Sequence, residues 1–214
     1  FIAIADSWNN IVPGHLGLNQ LVEAVKKGIV EAGGVPFVFG VPGVCDGIAM
    51  GHRGMRYSLI SREVISDCCE VMVYGHAFDG WVGVTNCDKI TPGMLMAAGR
   101  MDVPALMLTG GAMEAGKLHG EDIDFQTVYE TIGQVQVGKA SAADLNEVEC
   151  AACPGAGSCS GLFTANTMAC LTETLGMSVP GCGTCLATDP KKLKLAEETG
   201  RLIVELARKG ITPR

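Results

Sequence analysis

The chain has 214 residues, 48% of them hydrophobic, and a formal charge of −7 at pH 7. That is enough apolar material for one sizeable core and far from a disordered composition. There is no Lys/Arg block, no apolar run of the roughly 18 residues that span a bilayer, and no basic-then-apolar secretory start. Nucleic acid and membrane are therefore not expected as partners, and a cytoplasmic location is. Phe1 opens the chain in strand-like sequence without an initiator Met, which predicts a piece of a longer protein.

Phe1 to Ala5 reads as a buried strand, and Asp6 to Leu18 as a loop with Gly and Pro. Leu21, Val22, Val25, Ile29 and Val30 recur at helical spacing up to Gly33-Gly34. Val35 to Phe39 is the next strand, followed by a Gly-rich loop holding Cys45-Asp46-Gly47 and running to His52. A helix is expected from Ser61 to about Tyr74, with Val64, Ile65 and Cys68 inward. Ala77 to Val84 follows as a third strand. After Asn86-Cys87-Asp88-Lys89-Ile90, Thr91 is the expected N-cap and Pro92 the first residue of a Met-rich helix to about Arg100.

Pro104 to Leu108 is a fourth strand, with an exit loop over residues 109–116. Asp124 to Val137 and Ala142 to Cys150 have helical period. A small-residue loop, Cys153 to Gly161, then feeds a helix from Leu162 to Leu175. A last loop carries Cys182 and Cys185, and Pro190 to Lys209 is an amphipathic helix. Strands alternating with helices predict a three-layer α/β/α fold with a mostly parallel sheet, formed by residues 1–214 as a single domain.

The ten cysteines, with no secretory signal, are expected as reduced thiols, some available to metal. Cys68, Cys69 and Cys170 lie in apolar helix-like sequence and read as core residues. Cys45, Cys87 and Cys159 stand instead in three Gly-rich loops after strands, where open α/β sheets bind ligands. Thiolates there invite an iron–sulfur cluster, although the spacing matches no ferredoxin run. Asp46 and Asp88, each following a candidate soft ligand, are hard oxygen donors suited to magnesium. Lys89 is an ordinary surface lysine or, beside a cation, an amine set free to react. Plainer roles stay open: Asp46-Gly47 is a common turn pair, and Asp88 could cap the following helix. Cys182-x-x-Cys185 is half of a zinc pattern, so a non-catalytic zinc or redox module is the competing reading from another class.

Four stretches carry a family resemblance: Asp46 to His52, Gly54 to Glu63, Cys87 to Met94 and Cys159 to Met168. Together they resemble the dihydroxy-acid dehydratase and phosphogluconate dehydratase family, in its order and over essentially the whole chain. The resemblance implies a hydro-lyase that converts a 2,3-dihydroxy acid, a small-molecule substrate, into a 2-keto acid. It further implies cluster ligation by Cys87 and Cys159, and magnesium held by Asp46, Asp88 and a carbamate on Lys89. Family members with a two-iron cluster resemble Pro-Cys-Asn in the first loop, where this chain has Pro13-Gly14-His15. Cys45 matches the Cys-Asp-Gly version of the motif instead, pointing to a four-iron cluster on Cys45, Cys87 and Cys159. His15, His52 and His76 are possible donors around these ligands. The resemblance also implies a C-terminal β-barrel domain, absent from this chain, that supplies the proton-abstracting base and a further acidic ligand. It implies a homodimer for the full-length protein and leaves this piece alone without appreciable activity. The longer motifs favour a branched-chain dihydroxy acid, while Cys45 leans toward a sugar acid.

Overall fold

The computed structural model describes residues 1–214. Strands β1 (Ile2–Asp6), β2 (Pro36–Gly40), β3 (Gly80–Thr85) and β4 (Ala105–Thr109) form one parallel sheet in the order β2-β1-β3-β4. Val82 lies between Ile4 and Leu106 in the register. β3 and β4 are buried along their whole length, which explains their unbroken apolar sequence, whereas edge strand β2 leaves Phe37 and Val38 half-exposed.

Alternation along the strands sorts the core into two halves. Ile2, Ile4, Val82, Val84, Leu106 and Leu108 face helices α1 (Leu18–Glu31) and α8 (Lys191–Lys209). Ala3, Ala5, Trp81, Ala105 and Met107 face α3 (Met55–Gly75) and α4 (Ile90–Arg100). This is the expected three-layer α/β/α arrangement. α1 and α8 approach through glycine: a methyl on Gly28 would lie 2.0 Å from the Glu197 carbonyl oxygen, and one on Gly200 would lie 2.2 Å from that of Val25. No helix is long and apolar enough to cross a membrane.

A one-turn helix α2 (Asp46–Ala49) interrupts the loop after β2. Beyond β4 come a hairpin, β5 (Gly116–Leu118) with β6 (Glu121–Ile123), and helices α5 (Phe125–Gln136) and α6 (Ala142–Ala151). Asp124 and Ser141 begin these helices with reciprocal capping boxes. Helix α7 (Thr164–Thr174) precedes the final loop.

Several local expectations are corrected. α3 starts six residues before Ser61, because its first inward positions are the hydroxyls Ser58 and Ser61 rather than hydrocarbons. Val64 faces solvent and Cys68 is half-buried, leaving Ile65, Cys69 and Val73 as the apolar inner face. α4 starts at Ile90 with Lys89 at its N-cap, so Thr91 caps nothing. Its hydroxyl meets that of Thr85 at 3.1 Å inside the core. The third strand begins at Gly80, since Ala77 takes a left-handed backbone (φ 51°) that ends α3 and breaks any extension.

Candidate metal centre

The loops that leave the carboxyl ends of the four strands converge. Lys89 Nζ lies 2.5 Å from Asp46 Oδ2 and 3.0 Å from Asp88 Oδ2, so residues 43 positions apart form one half-buried triad. α3 completes it from below: Ser58, fully buried, donates its hydroxyl to Asp46 Oδ1. Burial alone would raise the Asp46 pKa, but the hydrogen bonds from Lys89 and Ser58 outweigh it and hold the carboxylate below its ordinary range. For Lys89 burial works toward a lower pKa, and the hydrogen bonds to Asp46 and Asp88 reverse it, keeping the side chain an ammonium. That ammonium is itself a cation held between hard carboxylate oxygens. The donor set therefore fits a small hard cation.

The thiols occupy the adjoining space. Burial pushes the Cys87 thiol far above its usual range, with Cys45 and Cys159 adding to the rise. Cys159 is pushed up to about 11 by burial, then by Asp88, Cys153 and Cys45. Cys45, Cys87 and Cys159 thus lie within electrostatic reach of one another and of the triad. They do not converge closely enough, with any other His, Cys, Asp or Glu, to surround one metal ion. The buried Ser160 hydroxyl, next to Cys159, has no hydrogen-bond partner. A buried hydroxyl left without a partner, one residue after a thiol, is a donor that a bound acceptor group could satisfy.

The backbone around these thiols is held by buried amides and hydroxyls. Asn86 Nδ2 donates to the carbonyls of Gly14 and Gly111, both at 2.9 Å, tying the loops after β1 and β4 to the end of β3. Ser158 Oγ donates to Asn166 Oδ1 at 2.6 Å, and Asn166 Nδ2 donates to the carbonyls of Cys159 and Gly161. Ala112 forms parallel bridges with Ser158 and Leu186, which attach the cysteine loop to the exit of β4. Cys87 itself is left-handed (φ 65°), an uncommon conformation for a residue with a Cβ. Gly14 allows the loop after β1 to close over it: a methyl there would stand 2.6 Å from Cys87 Sγ.

His15 belongs to this frame rather than to the donor set. Its Nδ1 lies 2.5 Å from Ser7 O and its Nε2 lies 3.2 Å from Asn86 O. Burial lowers its pKa against both carbonyls, which favours the neutral ring, and a neutral ring donates to one of the two. His52 and His76 are exposed and bond backbone carbonyls in their own segments, at Ile48 and Met72. Cys182 and Cys185 are buried on the α8 side, and Lys192 Nζ donates to the Cys182 carbonyl at 2.8 Å. Asn86, Ser58 and Asn166 stand within or beside the quoted stretches, where residue type alone assigns them no part. Cys153, which helps to raise the Cys159 thiol, reads from the sequence as a loop residue only.

A family model described as "Dihydroxy-acid/6-phosphogluconate dehydratase N-terminal" matches residues 1–214. The chain belongs to this family. Similar dehydratase-family sequences carry the name dihydroxy-acid dehydratase. One from Methanosarcina barkeri is 57% identical over 214 residues, covering 100% of this chain and 39% of the relative. Those from Methanococcus aeolicus and Halothermothrix orenii are 54% and 53% identical, over 100% and 99% of this chain and 39% and 38% of the relatives. The chain thus spans about two fifths of the length of these relatives.

Proposed function

We propose that the chain is the cluster- and magnesium-holding part of a dehydratase that converts a 2,3-dihydroxy carboxylic acid into a 2-keto acid. The observation that carries this is the joining of two donor classes at one set of strand ends. The soft thiols of Cys45 and Cys87 are each one peptide bond from the hard carboxylates of Asp46 and Asp88, and Lys89 links the two carboxylates. Cys45, Cys87 and Cys159 would hold a four-iron cluster, and Asp46, Asp88 and Lys89 would hold magnesium, the last as a carbamate that forms when the ammonium gives up two protons and its nitrogen adds carbon dioxide. Bound together, the two would supply Lewis acidity toward a departing hydroxyl and a hard anchor for the acid's other oxygens. The protein's own part is positioning: Ser58 orients Asp46, and Asn86 and Asn166 fix the loops that carry Cys87 and Cys159. The base that removes the C2 proton is assigned to the part of the longer protein outside residues 1–214.

The names carried by the relatives favour a dihydroxy acid as substrate, and a branched-chain one is our reading. The free state of all ten cysteines is consistent with a reducing, cytoplasmic setting. We read residues 1–214 as one domain of a longer chain that assembles as a homodimer and carries a C-terminal barrel. The test is anaerobic purification of the longer protein, followed by visible absorption, iron and sulfide analysis, and assay with a branched-chain 2,3-dihydroxy acid against sugar acids. Iron and sulfide that are lost in Cys87→Ser and Cys159→Ser, with keto-acid formation abolished in Asp46→Asn, are the expected results. A colourless, zinc-containing protein would overturn the reading in favour of a zinc or redox module.

A further inference from the structure

Of the ten cysteines, only Cys150 and Cys153 are exposed. They make a second Cys-x-x-Cys sequence, beside Cys182-x-x-Cys185, whose two thiols are buried. The exposed pair stands at the end of helix α6, with Cys150 in its last turn. Ala152, at the C-cap, keeps a right-handed helical backbone (φ −69°, ψ −26°) and donates its N–H to the Val148 carbonyl at 2.9 Å. Helical geometry therefore runs from Cys150 through Ala152, and three steps of it set the Cα atoms of Cys150 and Cys153 about 5 Å apart. A disulfide spans Cα atoms roughly 4.4–6.8 Å apart, so this bond closes without displacing the backbone. The spacing is also held in place. Ala152 is buried against Ile123 and Val148, and Pro154 restricts the backbone of Cys153 from the other side.

We infer that Cys150 and Cys153 form a reversible modification site for small-molecule disulfides, which close the pair into an intrachain disulfide. One thiolate attacks a sulfur of the small disulfide, forming a mixed disulfide and releasing one small thiol. The second thiolate attacks the protein sulfur of that mixed disulfide and releases the other small thiol. The chain loses two S–H bonds and gains one S–S bond, while the small disulfide is reduced and carries away two electrons and two protons. Exposure selects this pair, because a thiol must be reached before it can exchange. Cys45, Cys87 and Cys159 are only partly accessible, and burial pushes the thiols of Cys87 and Cys159 up. Cys153 opens the loop that carries Cys159, so the site takes up oxidant at the head of that loop without using a candidate cluster ligand. The inference stands on the end of α6 alone and is independent of the dehydratase reading.

Oxidised glutathione is the probe. The longer protein, purified anaerobically and freed of reductant, is treated with it, the remaining thiols are blocked with iodoacetamide, and the peptides are read by mass spectrometry. The expected product is a Cys150–Cys153 bridge. Its peptide loses two hydrogens, takes no iodoacetamide at either position, and recovers both thiols in dithiothreitol. Cys150→Ser and Cys153→Ser should each stop at a glutathione adduct on the cysteine that is left. Both positions are exposed, so both variants should keep the wild-type circular dichroism. A wild-type chain that retains glutathione on Cys150 or Cys153 without closing would overturn the inference, because the two thiols would then be out of each other's reach. So would a bridge from Cys153 to Cys159, or a pair of thiols that stays free.

Discussion

Replacing Asn86 with Ala tests whether the thiol loops depend on one buried amide. Both of its donor contacts are carbonyl oxygens at 2.9 Å, so the NH2 end of the side chain must face them. The two acceptors do not suffer equally. The Gly111 carbonyl keeps the Ser158 backbone N–H at 3.0 Å, whereas Asn86 is the donor that serves the Gly14 carbonyl. One orphaned buried carbonyl costs about 1–3 kcal/mol and one lost hydrogen bond about 1 kcal/mol, for a total of roughly 2–4 kcal/mol. That is a large share of the roughly 5–15 kcal/mol that holds a typical domain together, yet the variant should still fold. Asn86→Asp should be worse than Asn86→Ala, since it turns an oxygen or an unpaired charge toward two carbonyls. Anaerobic urea unfolding followed by circular dichroism measures both, and iron content after reconstitution reports whether Cys87 is still presented. A loss below about 1 kcal/mol for Asn86→Ala, or a milder effect for Asn86→Asp, would refute the reasoning.

Gly28→Ala should destabilise the chain by about 2 kcal/mol, because its methyl would meet helix backbone at 2.0 Å, a clash at the ~3 kcal/mol end of overpacking, and the gain in helix propensity is only ~1 kcal/mol. Gly133→Ala, in α5 with nothing within 4 Å, should instead stabilise by about 0.5–1 kcal/mol, and thermal unfolding of the two variants compares them. Glu173 accepts from the Gly181 and Gly183 amides, both at 2.8 Å, and these bonds hold its pKa below the ordinary 4.5. Its contribution, kept below about 1 kcal/mol by solvent screening, should therefore be present above pH 4.5 and fade as pH falls through the depressed value. The gap in melting temperature between wild type and Glu173→Gln should be open at pH 7 and narrow as the pH is taken below 4.5; a gap independent of pH would contradict this assignment.

The layered fold was legible because its signals are local. The central strands are short apolar runs, and the Gly33-Gly34 stop follows α1 directly. α3 resisted because its first buried positions are Ser58 and Ser61, whose worth lies in hydrogen bonds to Asp46 and to the Ser58 carbonyl rather than in hydrophobicity. The β5–β6 hairpin resisted because Lys117, Glu121 and Asp122 carry no strand pattern. In the candidate centre, the adjacent Cys-Asp pairs advertised themselves by residue type. The parts played by Asn86 and Asn166 did not, since both side chains grip backbone carbonyls, which leave no mark on composition.

Cys87 adopts a backbone conformation that suits glycine, at a cost on the order of 1 kcal/mol for any residue with a Cβ. Selection for folding alone would therefore drift toward Cys87→Gly, which relaxes the turn and deletes the thiol in one step. Against that relief stand the packing of the Cys87 side chain on the core and the backbone entropy of glycine. Cysteine at this position works against the local preference of the chain, so the thiol and the strain of the turn stand or fall together.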